Sequence, residues 1–156
     1  MHWLLFLSSF IAVGSLLLTW ACHRCARRQL LRPAHHPDER PPISILRPLC
    51  GLDDQLYQNL VSLAEQSYPD FEIILGLADA SDPARAVAQR LKAEYPERRI
   101  HVLCDPRSRG FNPKVSNLEN MLPHARHEHL LVSDSNVVLE PEFLNRVLSE
   151  LQKPRT

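Results

Sequence analysis

The chain has 156 residues, about the length of one domain. Hydrophobic residues make up 44% and charged residues 23%, the proportions of a globular rather than a disordered chain. The 18 basic and 18 acidic residues cancel, which argues against a general nucleic-acid binder, whose contact face needs a basic excess. Thirteen prolines against four glycines fall in linkers and at element ends, and there is no internal repeat.

The first segment, Trp3 to Ala21, is about 19 residues without a charged side chain, close to the ~20 that a helix needs to cross a bilayer. Trp3 and Trp20 stand at its two ends, where aromatic rings favour the membrane interface. Arg24, Arg27, Arg28 and Arg32 follow it. Residues 1–22 are therefore expected to be a single-pass transmembrane anchor. By the positive-inside rule the N-terminus lies outside and everything after Arg24 is cytosolic. The alternative is a cleaved signal peptide, against which no Lys or Arg precedes the apolar run. Cys22 and Cys25 form a lone C-x-x-C. Zinc would need a second ligand pair, and a c-type haem would need His where Ala26 stands. They read as idle or lipidated thiols. Residues 23–42, basic and then rich in proline, form a linker in which His35 and His36 are solvated.

From residue 43 the pattern alternates. Ile43 to Leu49 predicts a strand. Asp53 to Gln66 places Leu56, Leu60, Leu63 and Ala64 on one helical face. Phe71 to Ala78 predicts a buried strand. Asp82 before Pro83 is a helix cap followed by proline at the first helical position, and Ala84, Val87, Ala88 and Leu91 form that helix's stripe. Arg99 to Leu103 is a third strand, Asp105 to Asn117 a long polar loop, and Leu118 to Ala125 a short helix. Leu130 to Ser133 is a fourth strand, and Pro141 opens a last helix with Leu144, Val147, Leu148 and Leu151 inward. Cys50 and Cys104, at the ends of apolar runs, read as small core residues. Strand–helix repetition predicts an α/β fold with a mostly parallel sheet and helices on both faces. In such sheets ligands bind beyond the carboxyl ends of the strands.

Those ends carry the polar signals: Arg47 to Gly51, Asp79 to Asp82, the loop with Arg107, Arg109 and Lys114, and Asp134-Ser135-Asn136. Neither G-x-G-x-x-G nor G-x-x-x-x-G-K-[ST] is present. A phosphate ligand must then be held by a carboxylate-bound metal or by cationic side chains. Mg²⁺ or Mn²⁺ suits oxygen ligands and bridges phosphates.

Four segments in order, PPISILRPLCGLD, YPDFEIILGLADASDPA, GFNPKVSNLENM and LLVSDSNVVLEPEFL, carry a resemblance over Pro41 to Leu151. The chain resembles the ceramide glucosyltransferase-like branch of the family-2 glycosyltransferases, with its bacterial hopanoid-associated relatives. The resemblance implies a GT-A, Rossmann-like fold, with residues 43–156 its N-terminal and incomplete part. It implies that Asp79 contacts the donor nucleoside, that Lys114 meets the uridine or phosphates, and that Asp134 holds a divalent metal, Mg²⁺ or Mn²⁺. Asn136 stands where a strict D-x-D has its second aspartate, a neutral oxygen ligand in place of a carboxylate. Asp82 reads as a helix cap, Arg107 and Arg109 as surface charge, and Asn112 and Asn117 as residues that shape the loop through backbone bonds.

The resemblance also implies a third aspartate as catalytic base and a Q/R-x-x-R-W segment, and neither occurs here. Glu140, Glu142 and Glu150, around the final helix, are poor substitutes for a base that must sit within hydrogen-bond reach of the acceptor hydroxyl. The expectation is a UDP-sugar:lipid hexosyltransferase, glucose-like in its sugar, represented by its donor half-site. A non-catalytic membrane-anchored nucleotide-sugar-binding protein is the alternative, and an unrelated anchored α/β domain is a third reading.

Overall fold

A computed structural model describes residues 3, 13–24 and 40–152. Residues 1–34 and 35–156 form two compact units. In the first, residues 13–24 are helical (α1), with Val13, Leu16, Leu17, Leu18 and Trp20 exposed. Among the described residues no helix is long and apolar enough to cross a membrane. The expected span of residues 3–21 includes residues 4–12, and the expected linker includes residues 25–39; both stretches lie outside the described residues.

The second unit holds β1 (Ile43–Leu49), α2 (Leu56–Ala64), β2 (Phe71–Leu77), α3 (Ala84–Glu94), β3 (Arg99–Cys104), α4 (Pro113–Met121), β4 (His129–Val132) and α5 (Phe143–Leu151), with a 3₁₀ turn at Leu122–His124. All strand pairs are parallel, in the order β3-β2-β1-β4. Every residue of β1 and β2 is buried, as expected of central strands covered on both faces.

Alternation sorts the two faces. Ile43, Ile45, Leu49, Phe71, Ile73, Leu75 and Leu77 meet Leu56, Leu60 and Leu63 of α2, Ala84, Ala88 and Leu91 of α3, and Leu144 and Leu148 of α5. On the other face Leu46 and Ile74 meet Met121 of α4. The cause is handedness. The first two crossovers step one way along the sheet, and the third returns past β1. Right-handed connections then put α4 on the opposite side from α2 and α3. The close approach of α4 depends on Gly76, where a Cβ would lie 2.4 Å from Met121 Sδ and 2.6 Å from Asn117 Oδ1.

Two expectations change. The stretch read as a loop to Asn117 contains α4, which starts at Pro113. Asn112 caps it, its Oδ1 accepting from the N–H groups of Lys114 (3.0 Å) and Val115 (3.3 Å), with proline in the first turn. Cys50 and Cys104 are exposed free thiols, not core residues, because the strands end before them or at the sheet edge.

The α4 face also buries a carboxylate. Glu72 accepts from Ser44 Oγ at 2.5 Å and from the Arg126 N–H at 2.7 Å, and His101 Nε2 lies 3.7 Å away. Burial pushes this carboxyl up, but those two hydrogen bonds, with His127 and His101 nearby, outweigh it and hold the group below its ordinary value of 4.5. A depressed folded value means that the stabilisation is complete above pH 4.5 and is lost as pH falls through the folded value. Glu72→Gln is expected to lower stability by about 1–3 kcal/mol at neutral pH. In urea titrations across pH, the gap from wild type should close as the medium is acidified below 4.5; a gap independent of pH would contradict the assignment.

Candidate functional site

The carboxyl ends of β1, β2 and β4 and the start of α4 enclose a cleft of about 540 Å³. It lies where the strand order reverses, between β1 and β4, the position at which doubly wound sheets open a crevice. Pro48, Leu49, Ala78 and Pro113 supply its apolar lining, and Asp53, Asp79, Asp82, Lys114, Asp134 and Asn136 its polar groups. Asp79, Lys114, Asp134 and Asn136, singled out from sequence at three separate chain positions, are therefore brought together.

Each is fixed differently. Asp79 follows β2 and turns back on its own loop, its Oδ1 accepting from Ser81 N and Ser81 Oγ at 2.8 Å each. The backbone bond first, then the hydroxyl, hold its carboxyl below the usual aspartate range. Lys114 stands in the first turn of α4, and its Nζ reaches Asp134 Oδ1 at 2.5 Å. Both side chains are about half-exposed, 51% and 55%. Asp82 does cap a helix, accepting from Ala84 N at 2.8 Å, and it also ties down the loop after β1 by accepting from Gly51 N at 2.9 and 3.1 Å. Gly51 has φ +69, so its turn favours glycine.

Arg47 is the chief correction. Sequence placed it among the polar groups at the strand end; it lies within β1, is fully buried, and points into the apolar face. Its Nη1 donates to Asn59 O at 3.0 Å, and its Nη2 to Ser133 Oγ at 2.6 Å and Val137 O at 3.1 Å. Burial lowers its pKa to about 10, opposed by the negative charge of Asp134. The group stays cationic at neutral pH. Asn59 Nδ2 donates to Ser135 O at 3.0 Å, and the Ser135 hydroxyl donates to Asp53. Residues 133–137 are thus held from below by β1 and α2, which sets where Asp134 and Asn136 stand. The roles of Asn59 and Asp53 were missed in sequence, and Ser135 was read only as part of the polar strand end. Asn59 had a signal, a polar residue three positions after Leu56 on an apolar helical face.

The polar loop before α4 is also held. Arg107 grips Asp105 at 2.5–3.0 Å, pulling that carboxyl down to about 2. Arg109 Nε donates to Asn120 Oδ1 at 2.6 Å, and Asn117 Nδ2 to Gly76 O at 2.9 Å. Arg107 and Arg109 do not line the cleft. A second cavity of about 430 Å³, lined in part by Lys92, His101, His124 and Arg126, contains none of the residues predicted for the site.

Four carboxylates and one ammonium line the cleft. A diphosphate would meet net repulsion there unless a cation came with it. Among the described residues no three His, Cys, Asp or Glu side chains are grouped to cage a metal. Asp134, which lines the cleft, nevertheless already accepts a cation, the Lys114 ammonium, on its Oδ1. One carboxylate plus ligand phosphates is a sufficient set for Mg²⁺, which is bound through one or two carboxylates and keeps several waters. The residues fit such an ion.

The family model of Glycosyl transferase family 21 matches residues 5–156. The chain belongs to this family. It is 32% identical over 112 residues to ceramide glucosyltransferase 1 of Caenorhabditis elegans, covering 69% of this chain and 24% of that protein. It is 32% identical over 121 residues to the ceramide glucosyltransferase of Komagataella phaffii, covering 75% and 24%. The ceramide glucosyltransferase-like resemblance is borne out, and the chain spans about a quarter of the length of these relatives. Among solved structures, a mannosyltransferase from Pyrobaculum calidifontis in complex with GDP-mannose and Mn²⁺ aligns over 89% of this chain and 40% of its own, with TM-score 0.67 at 21% identity. The S. aureus TarS fragment 1–349 aligns with TM-score 0.56 over 69% of this chain and 31% of its own. These likenesses establish a GT-A-like α/β fold.

Replacing Arg47 by methionine would take the donor from the buried Ser133 hydroxyl and from the Val137 carbonyl, while Asn59 O keeps the Ser62 hydroxyl. Arg47→Met is expected to cost on the order of 3 kcal/mol of stability. Hydrogen exchange should quicken first at residues 133–139; faster exchange confined to β3 and α3 would contradict this role.

Proposed function

We propose that the chain is the donor-binding part of an enzyme that transfers a hexose, glucose-like, from a UDP-sugar to a hydroxyl of a membrane lipid. The observation that supports this most is the convergence of Asp79, Lys114 and Asp134 on one cleft at the strand-order reversal. The relatives named ceramide glucosyltransferase support the sugar and lipid classes.

In this reading Asp79, held by Ser81 at the end of β2, contacts the nucleoside. Lys114 contacts the diphosphate. Asp134, with Asn136 as a neutral oxygen ligand, holds Mg²⁺ or Mn²⁺. Such an ion acts as a Lewis acid that neutralises the departing diphosphate. The apolar lining of Pro48, Leu49 and Pro113 excludes water from one side of the ligand. Among the cleft carboxylates, Asp79 and Asp82 are engaged by backbone N–H groups, Asp53 by Ser135 and Asp134 by Lys114, so none is poised as the base that deprotonates the acceptor. We assign that base, and the acceptor site, to sequence of the enzyme outside this chain. The exposed apolar side chains of α1 and the arginines after it support a membrane anchor with the catalytic domain on the cytosolic side.

Calorimetry with UDP-glucose tests the donor half. Binding should require Mn²⁺ and weaken at least about tenfold, or ~1.4 kcal/mol, in Asp134→Ala. Equal affinity without metal, or an unchanged Asp134→Ala, would refute the reading.

A further inference from the structure

The Lys114–Asp134 contact joins the two groups that the donor reading assigns to different partners. The ammonium sits 2.5 Å from Asp134 Oδ1. Among the described residues Lys114 is the only cationic side chain lining the cleft, and Asp134 stands on a loop held by Arg47 and Asn59. A divalent ion and an ammonium at the same carboxylate oppose one another. Their mutual repulsion, a double charge against a single one a few ångströms apart, is felt even in water-like dielectric. The ion pair itself is half-exposed and therefore weak, so a diphosphate can draw the lysine away.

The anchoring is asymmetric. Asp134 rests on a loop fixed by Arg47, Asn59 and Asp53, and so cannot follow a moving partner. Lys114 has a flexible four-carbon stem. Its backbone is pinned, because Asn112 Oδ1 already takes the N–H groups of Lys114 and Val115. The same cap occupies those two N–H groups at the start of α4, so the cation that α4 can offer an anionic ligand is the Lys114 ammonium.

We propose that Lys114 is an exchangeable counter-ion. It neutralises Asp134 and opposes binding of a divalent ion alone. When a nucleoside diphosphate enters, it passes to the phosphate oxygens and gives up Asp134 to the metal. Metal and donor therefore enter as a pair, and free metal in the cell does not lock the cleft. This inference rests on the donor-binding reading and adds an order of events to it.

Mn²⁺ binding to the chain, followed by electron paramagnetic resonance without nucleotide, tests it. Lys114→Met removes the charge and keeps the stem at a half-exposed position. It should bind Mn²⁺ about three- to tenfold more tightly than wild type, and Asp134→Asn on that background should abolish the gain. With Mn²⁺ saturating, Lys114→Met should bind UDP several-fold more weakly. If wild type binds UDP in a Mn²⁺-dependent way but Lys114→Met leaves Mn²⁺ affinity equal or lower, the exchange is wrong and the donor site stands. If Lys114→Met gains Mn²⁺ affinity without losing UDP affinity, the transfer to phosphate is overturned. If wild type shows no Mn²⁺-dependent UDP binding, the donor reading falls and this inference falls with it. Circular dichroism confirms that each variant is folded.

Discussion

A guanidinium buried on the apolar side of β1 governs the geometry of the site. Arg47 is fully inside, among leucines and isoleucines, yet keeps its charge at neutral pH. A buried charge is tolerable only when it is paired or hydrogen-bonded. Both terminal nitrogens of this guanidinium donate, while its Nε has no partner among the described residues. Here the acceptors come from α2 and from the chain beyond β4. The segment 133–137 is thereby tied to the centre of the sheet. A loop after a four-residue edge strand would otherwise have little to fix it, because Leu130 and Val132 of β4 are half-exposed and, among the described residues, only β1 pairs with it.

Strand order supplies the second constraint. The chain steps outward through β2 and β3 and returns to the far side of β1 at β4. That return carries α4 across the opposite face and delivers Lys114 to the mouth of the cleft. Gly76 lets α4 sit close, and Asn112 fixes its first turn. A cation from one side of the sheet and a carboxylate from the other side of β1 then meet, although 20 residues separate them in the chain. A carboxylate-rich cleft with one mobile ammonium suits a ligand that brings both negative charge and a metal.

Much of this was legible in the residues. The apolar runs at 43–49 and 71–78 and the stripes of α2, α3 and α5 follow from periodicity, because burial on both faces or on one face leaves that pattern. The four polar strand ends followed from the sheet rule. Two misreadings share a cause. Arg47 was taken as a strand-end group because charge was read as exposure; two of its three acceptors, Ser133 and Val137, lie 86 and 90 positions away. The start of α4 was taken as loop because Lys114 and Asn117 interrupt an apolar stripe. The Asn112-Pro113 cap was the better signal. The exposure of Cys50 and Cys104 reflects where strands stop, which periodicity does not fix to a residue.

Membership of Glycosyl transferase family 21, a GT-A-like fold and a cleft at the strand-order reversal agree with one another. The chain spans about a quarter of the length of its ceramide glucosyltransferase relatives. The central claim is that the loop anchored by Arg47 presents Asp134 to a metal-bound nucleoside diphosphate. The most direct measurement is paramagnetic broadening of backbone amide resonances by Mn²⁺ in the presence of UDP. The account predicts broadening centred on residues 133–137 and reaching residues 48–53, 79–82 and 112–117. Broadening centred on residues 123–126, beside the second cavity, would contradict it.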